Sequence, residues 1–162
     1  MGTSGTGYID LAGCAHVAPD LAAEQARFEV GEGDILVGLT GYVGSVGRLA
    51  PGQGPCMFNQ RVGRFVDLDE DRTSWAYLYC FLRLQSTKDA WKRLATGSAQ
   101  ANISASKILS VPMPLPDRTV QAQVVESVGA LHQKAEVNRR MNDTLEELSQ
   151  ALMPELLGGW NG

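Results

Sequence analysis

Three short stretches of this chain collect side chains that can donate and accept hydrogen bonds outward. The first, Thr40 to Arg48, carries Thr40, Tyr42, Ser45 and Arg48 among glycines. The second is Asn59-Gln60-Arg61, two amides followed by a cation. The third runs from Thr96 to Asn102, with Ser98, Gln100 and Asn102, and Lys107 follows it. Hydroxyl, amide and guanidinium groups of this kind contact phosphate oxygens and base edges. Arginine matches the two acceptors of guanine, and a side-chain amide matches the donor–acceptor pair of adenine. The same groups also occur in solvated turns, and each stretch alone fits either reading.

Other chemistries find less support. Gly41, Gly44 and Gly47 are spaced as if for a nucleotide loop, but such a loop needs a strand before it and a helix after it. Here the β-prone Val43, Val46 and Leu49 interleave, Pro51-Gly52 follows, and no Walker lysine is present. A glycine-bent hairpin is the better expectation. Cys14, Cys56 and Cys80 are odd in number and widely spaced, so they suggest neither a metal set nor a disulfide framework. They read as thiols in a reducing compartment. His16 and His132 stand alone, in a loop and a helix. Asp67, Asp69, Glu70 and Asp71 read as a solvated turn, since a calcium loop's glycine and terminal glutamate are missing. Asn102-Ile103-Ser104 and Asn142-Asp143-Thr144 match the glycosylation pattern by chance, without a secretory signal. No nucleophile–base pair or paired carboxylates stand out, so neither catalysis nor a metal is expected.

The elements that must position these residues fall into three regions. Residues 1–116 read as one strand-rich domain with small helices. Asp34 to Leu39 is an apolar, β-prone run after the turn Gly31-Glu32-Gly33. Gly41 to Leu49 suggests a second strand with a bend, and Met57 to Leu68 a third. Thr73 to Leu84 places Trp75, Leu78, Tyr79 and Leu82 on one helix face. Asp89 to Ala95 continues as helix, with Trp91 and Leu94 inward. Ser106 to Val111 is expected to be a final strand. The prolines of Val111-Pro112-Met113-Pro114-Leu115-Pro116 then force extended backbone.

Residues 117–157 read as one long helix. Val124, Val128, Leu131, Ala135, Asn138, Asn142, Leu145, Ser149 and Leu152 alternate in steps of four and three, a heptad seam. Val137, Met141 and Leu148 widen it. About 35 helical residues span on the order of 50 Å, more than a small core covers, so the seam is expected to meet another helix. An amphipathic helix folded back onto its own domain is the alternative. Residues 158–162 are expected to form a flexible tail. The fold class expected is therefore α+β with a long C-terminal coiled-coil helix.

The formal net charge of −4 argues against indiscriminate DNA binding. The cations are segregated, however. No acid lies between Gly41 and Val66, where Arg48, Arg61 and Arg64 fall. None lies between Ala90 and Pro116, where Lys92, Arg93 and Lys107 fall. No apolar run reaches the roughly 18 residues of a membrane helix, so a cytoplasmic protein with no membrane partner is expected.

In order along the chain come Gly33-Asp34-Ile35-Leu36, Thr40-Gly41, Gly44, Asn59-Gln60 and Tyr77-Leu78-Tyr79. Then come Thr96-Gly97-Ser98, Ile103-Ser104, Val111 to Pro116, Gln123, and Asn138, Asn142, Leu145-Glu146 and Leu148. This ordered set, from about Tyr8 to Leu157, resembles the DNA specificity subunit of type I restriction-modification enzymes. The resemblance implies a target recognition domain that reads double-stranded DNA, with at least one of the three polar stretches touching it if the domain is intact, and a helix that packs antiparallel against a second one. It implies modification (methyltransferase) and restriction subunits as partners. S-adenosylmethionine, ATP and Mg would be bound by those partners, with no cofactor on this chain and no catalysis by it. The usual subunit holds two recognition domains and two helices, so a half-subunit is expected here. It would be N-terminally short, without the aromatic and Gly-Thr-Pro-like opening, and would pair with a second copy or another half. The rival expectation is a protein-interaction adaptor that works through its helix without reading DNA.

Overall fold

The computed structural model describes residues 7–97 and 100–158, the side chains of 154–158 excepted. The chain divides into two compact units, one ending at Val125 and the other beginning at Glu126.

The first unit is built around β2 (Ile35–Gly38), whose four residues are all buried. Side chains alternate across a strand. Ile35 and Val37 therefore enter one apolar cluster, while Leu36 enters another with Ile9, Val30 and Leu49. β2 is the middle strand of an antiparallel three-stranded sheet, between β3 (Val46–Arg48) and β5 (Val62–Arg64). Ile35 lies opposite Arg48, and Gly38 opposite Val62. A separate two-stranded sheet pairs β1 (Glu29–Val30) with β4 (Cys56–Met57). A short α1 (Pro19–Glu24) and a 3-10 turn (Ala26–Phe28) precede β1.

Helices cover the Ile35/Val37 face. α2 (Trp75–Arg83) starts where Ser74 Oγ accepts from Tyr77 N at 3.2 Å, an N-cap. Its buried Leu78, Tyr79 and Leu82 join that cluster, as the helical period predicts. Trp91 of α3 (Gln85–Leu94) is 1 % exposed, and its Nε1 donates to Ile108 O at 3.1 Å. The bond satisfies the buried indole and ties α3 to α4 (Ala105–Leu109).

Two expectations about strands are corrected. The segment from Ser106 is α4, not a strand. Ser104 Oγ accepts from Lys107 N at 3.4 Å, which starts a helix there, and one turn is enough to bury Ile108. Met57 to Leu68 is not one strand but the end of β4 and the whole of β5, in different sheets. The turn at Asn59 separates them, with Val62 N donating to Asn59 O at 3.0 Å. In Gly41 to Leu49, strand pairing begins only at Val46.

α5 (Arg118–Gly158) is a 41-residue helix. Asp117 Oδ1 accepts from Val120 N at 3.0 Å and caps its start. Gln121, 2 % exposed, locks that first turn onto the first unit. Its Nε2 donates to Arg72 O and Pro116 O, each at 2.9 Å, and its Oε1 accepts from Thr73 Oγ1 at 2.9 Å. The tail expected at 158–162 lies outside the described residues except for Gly158, the last helical residue.

The described part of the second unit is the remainder of α5. Leu131 is 67 %, Leu145 60 % and Leu152 52 % exposed, so the apolar seam is uncovered in the single chain. Glu136 bridges Arg139 at 2.9 Å and Arg140 at 3.1 Å, and Asp143 bridges Arg139 at 3.2 Å. Hydrogen bonds from Arg139 and then Arg140 hold the Glu136 carboxyl below the usual carboxylate range.

Trp91→Ala should cost about 3–5 kcal/mol through cavity formation, and Gln121→Ala about 1–3 kcal/mol through stranded buried polar groups. Urea titrations of the full chain measure both, and wild-type midpoints would contradict the packing described. Because the Glu136 pKa is depressed on folding, its contribution is present above the ordinary carboxylate pKa. It is lost as pH falls through the lowered value. Helicity followed by circular dichroism should show this acid-side loss in the wild type and a smaller one in Glu136→Gln.

Candidate nucleic-acid interface

Where the chain leaves β2 it becomes a junction. Leu39 N donates to Arg61 O at 2.7 Å, and Ile103 N to Leu39 O at 2.9 Å. Gly41 N donates to Ala101 O at 2.9 Å. Thr40 pairs with Asn102 in an antiparallel bridge, and Thr40 Oγ1 donates to Asn102 Oδ1 at 3.1 Å across 62 residues of sequence. Asn102 in turn exchanges both backbone bonds with Thr96, each at 2.8 Å. The three polar stretches singled out in the sequence therefore meet at Thr40. Buried β2 supplies the rigid base, and the loops are positioned by backbone bonding together with the Thr40–Asn102 side-chain bond.

The outward groups at this junction are Gln60, Arg61, Gln100 and Asn102, all exposed, with Thr40 half-buried and Tyr42 69 % exposed. Gln60 and Arg61 form the tip of a turn. Asn59 Oδ1 accepts from Arg61 N at 3.0 Å, which orients the tip. Gly97 has φ +100°, and a Cβ there would strike Gln100 O. Gly44 has φ +79°, and a Cβ there would lie 3.5 Å from Trp91 Cε3 and 3.7 Å from Lys88 Cα. The Tyr42–Ser45 turn thus rests directly on α3.

Other proposed contact residues are placed elsewhere or engaged internally. Arg48 sits opposite Ile35, at the far end of β2 from Thr40. Its guanidinium lies 4.8 Å from the Tyr8 ring and 5.0 Å from the Tyr79 ring, and it donates to Tyr8 Oη at 3.1 Å. Lys107 Nζ donates to Leu94 O at 2.9 Å, a C-terminal carbonyl of α3. Arg64, a cation of the same acid-free segment though not one of the expected contacts, lies 3.6 Å from Asp34 and donates to Glu29 O at 3.0 Å. Ser45 is half-buried, and its carbonyl accepts from Gly38 N at 2.8 Å within the hairpin. Ser98 lies outside the described residues. Lys88 was missed in the sequence reading, although it lies one helical turn before the inward Trp91.

Near Arg48, Tyr79 Oη donates to Gly7 O at 2.6 Å. Burial pushes its phenol pKa up, against the opposing pull of Arg83 and Arg48. Burial likewise raises the Cys80 thiol. The Tyr79 bond ties Gly7 to α2. Among the described residues, no three His, Cys, Asp or Glu side chains are grouped as a metal would need. Also among them, no helix is long and apolar enough to cross a membrane. The junction is suited to hydrogen-bonding a polar, anionic surface, because its loops come from the two acid-free segments.

Gly97→Ala should destabilise the unit by about 1–3 kcal/mol, since it combines a left-handed backbone with a close carbonyl. A thermal melt unchanged from the wild type would show that the loop is not held in this conformation.

Residues 7–147 match the family model described as the type I restriction modification DNA specificity domain. The type I restriction enzyme MjaVIII specificity subunit of Methanocaldococcus jannaschii is 26 % identical over 131 residues, covering 78 % of this chain and 31 % of that protein. The solved S subunit of a type-I restriction-modification system from M. genitalium has a similar fold, with a TM-score of 0.53 at 21 % identity. That likeness covers 82 % of this chain and 36 % of the other, and this chain's own arrangement is α+β with a long C-terminal helix. The chain spans about a third of the length of these relatives. With the family model matched across most of its length, the chain belongs to the type I restriction modification DNA specificity domain family.

Proposed function

We propose that this chain reads DNA sequence for a type I restriction-modification system, as one recognition unit bearing one pairing helix. The observation that carries the reading is the meeting of three polar, acid-free loops at Thr40, with Gln60, Arg61, Gln100 and Asn102 presented outward. Family membership supports the same reading. In this reading residues 1–116 form the target recognition domain and 117–157 the spacer helix. Methylation and cleavage belong to modification and restriction subunits, which bind S-adenosylmethionine, ATP and Mg.

The uncovered seam of α5 supports pairing with a second copy or another half-subunit. Val124, Leu131, Leu145 and Leu152 are exposed, and Asn138 and Asn142 lie on the same stripe. Buried asparagines at such positions select register and partner number. An antiparallel pair would relate two recognition units by a two-fold axis, so a homodimer would read two inverted copies of one half-site.

One observation favours a second reading. Arg48, Arg64 and Lys107 are engaged inside the unit, and the net charge is −4, which leaves fewer cations for phosphate. An adaptor that binds methyltransferase or specificity subunits through α5 alone would need no more. Two measurements separate the readings. Selection from a random duplex library should enrich an inverted repeat, with affinity falling by about one log-log unit per phosphate contact as salt rises. Light scattering should give a dimer at micromolar concentration, and Leu131→Asp with Leu145→Asp should give a monomer. Absence of DNA binding at any salt, with retained capture of a modification subunit, would favour the adaptor.

A further inference from the structure

We propose that Lys88 and Lys92 of α3 hold the DNA backbone beside the base-reading loops; this rests on the reading that the Thr40 junction meets DNA. The rotation of α3 is fixed by Trp91, 1 % exposed, and Thr87, 2 % exposed. At 3.6 residues per turn, Lys88 lies about 60° and Lys92 about 100° around the helix from Trp91, both on the same side. Gly44 identifies that side. A Cβ on it would touch Trp91 Cε3 and also Lys88 Cα and Cβ, at 3.5 to 3.7 Å. The lysines therefore emerge next to the Tyr42–Ser45 turn. α3 then leads into Thr96, which pairs with Asn102. The two cations thus stand on the element against which one loop of the junction rests and from which another leads.

Their chemistry fits phosphate. A lysine ammonium is a point charge on a flexible stem and reads no base pattern. The acid on the same helix is Asp89, which accepts from Gln85 Nε2 at 2.8 Å and lies 3.9 Å from Lys92 Nζ. That pair is solvent-exposed, with side chains 62 % and 44 % accessible, and pairs of this kind contribute little. Lys92 can exchange Asp89 for a phosphate at small cost. Lys107, by contrast, is held by Leu94 O at the end of the same helix. The division of labour is then explicit: amides, hydroxyls and Arg61 at the junction face the bases, and the α3 lysines face the backbone.

The test uses the full chain and a fluorescent duplex of mixed sequence, with anisotropy titrated over a series of KCl concentrations. Lys88→Gln with Lys92→Gln should weaken binding at low salt and make the log-log salt slope shallower by about two units, on the order of one per lost contact. The doubly substituted Lys→Arg chain should restore the slope. Lys134→Gln, an equal loss of charge in the second unit, should leave it unchanged, and circular dichroism should show each variant folded. An unaltered slope in the double glutamine variant would overturn the proposal while the DNA-reading function stood. So would a change in which sequences are preferred, since that would mark a base contact. Failure of the unsubstituted chain to bind any duplex would overturn both.

Discussion

The burial of β2 on both faces is the constraint on which the rest depends. Ile35 and Val37 need one apolar partner surface and Leu36 needs another, so a four-residue strand organises two clusters. α2, α3 and α4 meet the first demand, and the segments around Ile9, Val30 and Leu49 meet the second. With the strand fixed on every side, its exit at Leu39 and Thr40 has little freedom. Leu39 accepts from Ile103 and donates to Arg61, which draws distant loops to one place. A well-packed core thereby positions surface groups that are far apart in sequence.

The arrangement of cations follows from the same economy of packing. Arg48 and Arg83 lie against the buried Tyr79, where aromatic faces offset the loss of water around a guanidinium. Lys107 closes α3, and Arg64 fastens β5 to Asp34 and Glu29. What remains outward on this unit is a smaller set than the composition suggests. Residues 126–162 carry six acids to three bases, so part of the chain's negative charge belongs to the helix rather than to the junction. Net charge alone therefore misstates the field that a ligand at Thr40 would meet.

α5 serves two different ends along its length. Its first turn is polar and closed, with Gln121 completing the hydrogen bonds of Thr73, Arg72 and Pro116. Beyond Val125 its apolar stripe is open, and local pairs such as Glu136 with Arg139 and Arg140 add a small support to the helix. A helix of this kind is held at its first turn and exposes its apolar stripe along the rest.

Much of this was legible in the residues themselves. The long helix, its seam and the proline connector follow from periodicity and from proline's fixed backbone. α2 was visible because Leu78, Tyr79 and Leu82 share one face, and β2 because its run is continuously apolar. The three polar loops stood out by residue type. α4 was not legible: Ser106 to Val111 is too short for a period to separate helix from strand, and a serine cap with the carbonyl of Ile108 facing Trp91 settled it. The fate of each cation was hidden too, because a linear sequence does not say whether Arg48 meets water or a tyrosine ring. Residue order by itself determined the long helix, α2, β2 and which groups could bind, since these depend on residues near in sequence. Only the tertiary structure decided which of those groups face outward together, because that depends on contacts between segments as distant as Thr40 and Asn102.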